Sequence, residues 1–155
     1  MVSRQLNFDL FDEAGVPHLP NVAAALEALA TENGVVARGA IFTRAEVVEF
    51  ILDLVGYTED QPLHKKRLLE PSFGGGDFLL PAIGRLLTAW RASRSISSVV
   101  DELCNAIRAI ELHRETFATT RAAVLERLIQ EGVAKPSAVT LADLWLVQGD
   151  FLLEP

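Results

Sequence analysis

Three consecutive glycines, Gly74-Gly75-Gly76, sit between a short apolar run and a helix-forming one, and no other stretch restricts the fold as strongly. Glycine lacks a Cβ, so it enters backbone conformations closed to other residues and lets main chain approach a ligand closely. The run Leu68-Leu69-Glu70-Pro71-Ser72-Phe73-Gly74-Gly75-Gly76-Asp77-Phe78-Leu79 reads as strand, tight turn and helix. Arg67–Pro71 is predicted as a buried strand. Asp77 is expected to cap a helix from Phe78 to about Trp90, with Pro81 in the first turn, where a missing N–H costs least.

The same alternation continues downstream. A short helix is expected over Ser97–Cys104, a second strand over about Ala106–Glu111, a long helix over Glu115–Ile129 closed by Gln130-Glu131-Gly132, and a third strand over Trp145–Val147. Strands alternating with helices predict an α/β fold with a doubly wound sheet, and right-handed crossovers make its three strands parallel. Upstream, Thr43 and Glu46 have the T-x-x-E spacing of a capping box. Val47, Phe50, Ile51, Leu54 and Val55 then follow a helical stripe that Gly56 ends, leaving Glu46, Glu49 and Asp53 for solvent. An earlier helix is expected from Val22 to about Glu32, capped by Asn21 and stopped at Asn33-Gly34. Residues 1–20, with Pro17 and Pro20, read as an extended or partly ordered arm.

A length of 155 residues, half of them hydrophobic, suits one domain with a real core. Lys and Arg number 14 against 21 Asp and Glu, a formal charge of −7. Phosphate contacts need cationic side chains, so this balance argues against autonomous, tight DNA binding. The single cysteine, Cys104, allows no internal disulfide and no thiolate cage. No apolar run approaches the roughly 20 residues of a membrane span, and no apolar stretch follows the amino-terminal Arg4 as in a secretory signal. The expected setting is the cytoplasm.

In a sheet of this kind ligands bind at the carboxyl ends of the strands. Three acids fall there: Glu70 before the glycine turn, Glu111 at the end of the second strand and Asp150 after the third. Glu70 disfavours a polyphosphate and suits a cationic or hydroxyl-bearing ligand. Glu111 is placed to accept two ribose hydroxyls, since a carboxylate accepts several hydrogen bonds. Asp150 is placed to accept from an adenine amino group. The G-x-G-x-x-G of a dinucleotide fold and the G-K-[ST] of a P-loop are both absent. Each acid alone also reads as an ordinary turn or cap residue, and the glycine turn as a plain tight turn.

Taken in order, these segments resemble the S-adenosylmethionine-dependent adenine-N6 DNA methyltransferases of restriction–modification systems, over about Arg38 to Pro155. Gly39-Ala40-Ile41-Phe42-Thr43 with Glu46-Val47-Val48 resembles the family's amino-terminal motif, which implies that Phe42 and Thr43 lie against the cofactor's methionine part. Glu70-Pro71-Ser72-Phe73-Gly74-Gly75-Gly76-Asp77-Phe78-Leu79 resembles the glycine motif E-P-[SA]-x-G-x-G-x-F-L. That implies a cofactor seat made by Glu70, Pro71, Ser72 and the backbone at Gly74 and Gly76. Glu111 matches the ribose-binding acid. Gly149-Asp150-Phe151-Leu152 matches the G/A-D-F-L motif, whose Asp meets the adenine amino group and whose Phe flanks the ring. The implied fold is a partial doubly wound, Rossmann-like methyltransferase sheet of three parallel strands over residues 38–155, preceded by an amino-terminal arm and helix over 1–37.

The family also carries an [ND]-P-P-[YF] motif that clamps a flipped target adenine, and no such tetrapeptide occurs here. The expectation is therefore a cofactor-binding portion, truncated before the catalytic motif and inactive by itself, with no catalytic residue of its own. It would meet DNA only through parts of a fuller enzyme. The acids then suit a cofactor carrying a sulfonium and an ammonium. Competing readings are a degenerate or split half that docks on another chain, or forms a homo-oligomer, through an unpaired sheet edge, and a fragment of a small-molecule methyltransferase. The glycine spacing makes an NAD dehydrogenase the poorest match.

The remaining reactive side chains read as structural. His18, His64 and His113 share no ligand spacing and predict no metal site. His113 reads as a helix-cap residue, Cys104 as a small core residue, and Trp90 and Trp145 as packing anchors. Lys65-Lys66-Arg67 reads as solvated charge ahead of a strand.

Overall fold

The computed structural model describes residues 43–94 and 96–153. The predicted arm and helix within residues 1–37 and the site residue Phe42 lie outside them. The elements in chain order are α1 (Ala45–Leu54), a 3-10 turn (Leu63–Lys65), β1 (Leu68–Glu70), α2 (Leu79–Ala92), α3 (Val99–Leu103), β2 (Ile107–Glu111), α4 (Arg114–Gln130), α5 (Lys135–Trp145) and β3 (Leu146–Gln148). The strands form a parallel sheet in the order β1-β2-β3. Leu68 lies opposite Ile107, Ala109 opposite Leu146, and Glu111 opposite Gln148. The three-stranded parallel α/β fold is the predicted one.

Alternation along the strands decides which side is covered. Ile107, Ala109 and Leu146 share one face and pack into a core with Leu79, Ile83 and Leu86 of α2 and Leu141 and Trp145 of α5. From α4 the core takes Val124 and Leu128, and buried Thr120 lies one turn earlier on the same i, i+4, i+8 stripe. Trp145 is fully buried and donates its indole N–H to the Leu103 carbonyl at 2.7 Å, a packing anchor as expected. No helix among the described residues is long and apolar enough to cross a membrane.

Several local expectations are corrected. β1 is not a buried strand: Leu69 is 55% exposed on an edge strand of the sheet, and Arg108 opposite it is exposed as well. The N-caps predicted at Thr43 and Asp77 do not form. The Thr43 N–H donates to Asp77 Oδ2 at 3.2 Å, which takes the Asp77 carboxylate away from α2. The N-cap of α1 is Arg44 and that of α2 is Phe78, both without a side-chain cap bond. With the cap one residue later, Glu46 is the second helical residue and cannot close a capping box.

The stripe on α1 is also turned. Val48 and Leu52 are buried, whereas Phe50, Leu54 and Val55 are at least 58% exposed. Glu49 and Asp53 are consequently not a free acidic face, since both pair with Arg85 of α2. The stop at Gly56 is as predicted. Gly56 has φ +68 and donates to the Asp53 carbonyl, while the Tyr57 N–H donates to that of Leu52, the paired bonds of a Schellman motif. Gly132 and Val133 close α4 the same way on Ile129 and Leu128.

α5 has no counterpart in the sequence reading. It opens with Pro136 in its first turn, where proline's fixed φ is already helical. It passes into β3 without a loop, since Trp145 is its last residue and Leu146 the first of the strand. β3 therefore starts one residue later than predicted.

Candidate functional site

The carboxyl ends of the three strands carry Glu70, Glu111 and Gln148. Glu111 is only 4% exposed and organises the connections around it. Its Oε2 accepts the Gly74 N–H at 3.0 Å and its Oε1 the His113 N–H at 2.8 Å. Its backbone carbonyl accepts the Gly149 N–H at 3.0 Å. One residue thus joins the glycine loop, the turn into α4 and the segment after β3. Each carboxylate oxygen has a second lone pair, so two further hydrogen bonds remain open to it.

The glycine loop is held from both sides. The Phe73 N–H donates to the Ile110 carbonyl at 3.0 Å, and the Phe73 ring lies 5.9 Å from that of Phe117 in a tilted contact. The Thr120 hydroxyl donates to the Gly74 carbonyl at 2.6 Å. Gly76 has φ +88, and a β-carbon there would meet Thr120 Cγ2 at 3.0 Å and Leu80 Cγ at 3.2 Å. Two independent requirements, the left-handed backbone and the contact, therefore demand glycine at 76.

Glu70 is partly buried, and burial holds its carboxyl above the ordinary range, opposed by the Ser72 N–H at 3.4 Å from Oε1. A neighbouring cation reverses such a shift. Pro71 and Ser72 are exposed beside it. Asp150 Oδ1 accepts the Leu152 N–H at 3.0 Å, which folds the segment into a turn, and Phe151 is 39% exposed.

Of the predicted site residues, Glu111 and Gly74 are brought into direct contact. Glu70 ends the neighbouring strand opposite Ala109, two residues short of Glu111. Asp150 follows Gly149, which is bonded to Glu111. Thr43 is brought to the far end of the loop through Asp77, and not to Glu111. His113 is the N-cap residue of α4 and contributes its backbone N–H, not its ring. Among the described residues no cluster of three His, Cys, Asp or Glu is placed to hold a metal.

Two clefts flank the loop. One of about 290 Å³ is lined by Gly75 and by Glu115, Thr116, Thr119, Thr120 and Ala123 of α4. A larger one of about 440 Å³ lies beyond Gly76 and Asp77 along α1 and α2, and none of Glu70, Glu111 and Asp150 lines it. Size alone therefore does not locate the chemistry. Thr120 was not singled out from sequence. Its signal was a hydroxyl on an otherwise apolar stripe with Val124 and Leu128, a buried polar group that must find an acceptor.

No family model and no solved structure matches the chain. Among curated proteins it is 69% identical over 134 residues to the type II methyltransferase M.PaeR7I of Pseudomonas aeruginosa, covering 86% of this chain and 23% of that protein. It is 52% identical over 119 residues to the type II methyltransferase M.XhoI of Xanthomonas vasicola, covering 76% and 22%. It is 38% identical over 126 residues to the type II methyltransferase M.BstVI of Geobacillus stearothermophilus, covering 81% and 22%. The chain spans less than a quarter of the length of these relatives, all of them type II methyltransferases.

Proposed function

We propose that residues 38–155 are the S-adenosylmethionine-binding part of a restriction–modification DNA methyltransferase that acts on adenine N6 in the cytoplasm. The observation that carries this reading is the Glu111 carboxylate at the end of β2, bonded to the Gly74 N–H of the glycine loop at 3.0 Å. A ribose acid and a backbone seat for an amino acid stand side by side, in a chain whose curated relatives are type II methyltransferases.

The residues present fit that cofactor. The backbone at Gly74 is open, since a Cβ there would meet no atom within 4 Å, and Glu111 keeps two free lone pairs for ribose hydroxyls. Glu70, raised by burial, gains most from a cationic ammonium nearby. In this reading Pro71, Ser72, Gly74 and Gly76 frame the methionine part, with Thr43 and Phe42 beyond them. Asp150 takes the adenine amino group, and Phe151 lies along the ring. When bound, the cofactor supplies a methyl group made electrophilic by its sulfonium. Residues 1–155 contain no [ND]-P-P-[YF], so we assign no catalytic residue to them, and DNA is met only through groups outside them.

Calorimetric titration with S-adenosylhomocysteine tests this. Saturable binding is expected, weakened at least about tenfold by Glu111→Ala, the equivalent of one or more hydrogen bonds. A folded sample that gives neither heat nor a melting shift at millimolar ligand rules the reading out. The exposed Leu69 on the outer strand β1 favours a second reading, a methyltransferase half that docks on another chain. Light scattering that finds a monomer at high concentration counts against it.

A further inference from the structure

We infer that Thr120 is a positioning residue for the glycine loop: it fixes the Gly74 carbonyl and thereby aims the Gly75 N–H at the ligand. Two of the three glycine amides are already committed. Gly74 donates to Glu111 Oε2 at 3.0 Å, and Gly76 to the Phe73 carbonyl at 2.7 Å. Among the described residues the Gly75 N–H has no acceptor. Of the three glycine amides it is the one left for a ligand.

Its direction follows from the peptide before it. That bond is trans and planar, so the Gly74 C=O and the Gly75 N–H point opposite ways. The carbonyl is held by Thr120 Oγ1 at 2.6 Å, from a residue 2% exposed on α4. The Gly75 N–H therefore faces away from α4. Packing does not hold it on the Gly74 side, where a β-carbon would find no atom within 4 Å. Glycine on both sides gives the unit wider rotational freedom once the hydroxyl is lost.

The hydroxyl's choice of acceptor is informative. Thr119 bonds the carbonyl four residues earlier, Glu115, at 3.0 Å, and Thr140 bonds Pro136 at 3.1 Å, the local solution for a helical threonine. Thr120 instead reaches 46 residues back along the chain. Its Cγ2 meets the space beside Gly76, so one side chain grips the loop at both ends. A single outward N–H suits an anionic acceptor, and on the reading proposed above that group is the carboxylate of the cofactor's amino-acid part.

Thr120→Val keeps the shape and removes the donor, whereas Thr120→Ser keeps the donor and loses the methyl. The full chain is compared by ¹⁵N relaxation and by titration with S-adenosylhomocysteine and with methylthioadenosine, which lacks the amino-acid carboxylate. In Thr120→Val the Gly75 order parameter is expected to fall from about 0.85 to below about 0.6, and Thr120→Ser restores it. Thr120→Val weakens S-adenosylhomocysteine about tenfold and leaves methylthioadenosine within about twofold, one hydrogen bond to the carboxylate being lost. An unchanged order parameter in Thr120→Val overturns the inference. So does equal loss of loop order in Thr120→Ser, the outcome that also decides if Thr120→Val fails to fold. If the wild-type chain binds neither ligand while the relaxation pattern holds, the cofactor reading fails and the positioning role stands.

Discussion

Arg85 Nη1 donates to the carbonyl of Tyr57 at 3.0 Å and so ties α2 to the turn that closes α1. The same guanidinium meets Asp53 Oδ1 at 2.6 Å and the Glu49 carboxylate, from a side chain only 12% exposed. Its fork geometry serves acceptors on three residues at once, which a lysine ammonium on a flexible stem cannot copy.

Arg85→Ala is expected to loosen α1 selectively. The exposed carboxylates contribute about 0.2–1 kcal/mol each, and the Tyr57 carbonyl left without its donor costs about 1–3 kcal/mol. Native-state hydrogen exchange should show protection falling in Ala45–Leu54 while Ile107–Glu111 keeps its own. Uniform loss across both elements means Arg85 supports the whole domain instead.

Glu111→Ala strips acceptors from the partly buried Gly74 and His113 amides. At about 1–3 kcal/mol for each of the two unsatisfied groups, the loss of stability is about 2–6 kcal/mol. Urea unfolding at constant slope measures it, and Glu111→Asp, with shorter reach, should fall between. A wild-type midpoint in Glu111→Ala would show that these bonds contribute nothing.

Gly76 and Gly132 share a left-handed backbone, at φ +88 and φ +81, but differ in their surroundings. Gly132→Ala meets nothing within 4 Å and costs only the conformational strain, about 1–2 kcal/mol. Gly76→Ala adds the clash with Thr120 and Leu80, a further about 1–3 kcal/mol. Thermal unfolding should rank Gly76→Ala well below Gly132→Ala, and equal melting temperatures contradict the contact at Gly76.

Burial pushes the Tyr57 phenol from 10.0 up to about 12. The folded state thus binds its proton more tightly than the unfolded one. The resulting stability is fully present below pH 10 and is lost as pH rises from 10 to about 12, at most about 3 kcal/mol by the upper end. Chemical unfolding between pH 9 and 12 should show this alkaline slope in the wild type and a flatter one in Tyr57→Phe. Parallel slopes exclude Tyr57 as their source.

What sequence made legible depended on range. Gly56 and Gly132 were readable as helix ends because a left-handed glycine acts within its own turn. Glu111 was readable because a strand terminus is set by local alternation. The Asp77 cap failed because its carboxylate accepts the Thr43 N–H across 34 residues, where local pattern predicted two separate caps. The stripe on α1 failed for the same reason: Arg85 draws Glu49 and Asp53 toward α2 and turns Phe50 and Leu54 outward. The segment 133–144 mixes small and polar residues with too weak a periodicity to mark α5. Thr120 was hidden because its partner lies in another element.

The direct passage from α5 into β3 leaves no slack between two kinds of order. Trp145, locked to Leu103 by its indole N–H, fixes the rotational phase of the helix. One peptide bond later that phase becomes the pleat of the strand, with Leu146 inward against Ala109. An inserted residue here has no loop in which to be absorbed. It either rotates the helix by about 100°, one residue's share of a 3.6-residue turn, or turns each side chain of the strand to the opposite face. The junction works as a ratchet tooth, and it makes the position of Gly149 and Asp150 over the sheet a consequence of how one tryptophan is seated.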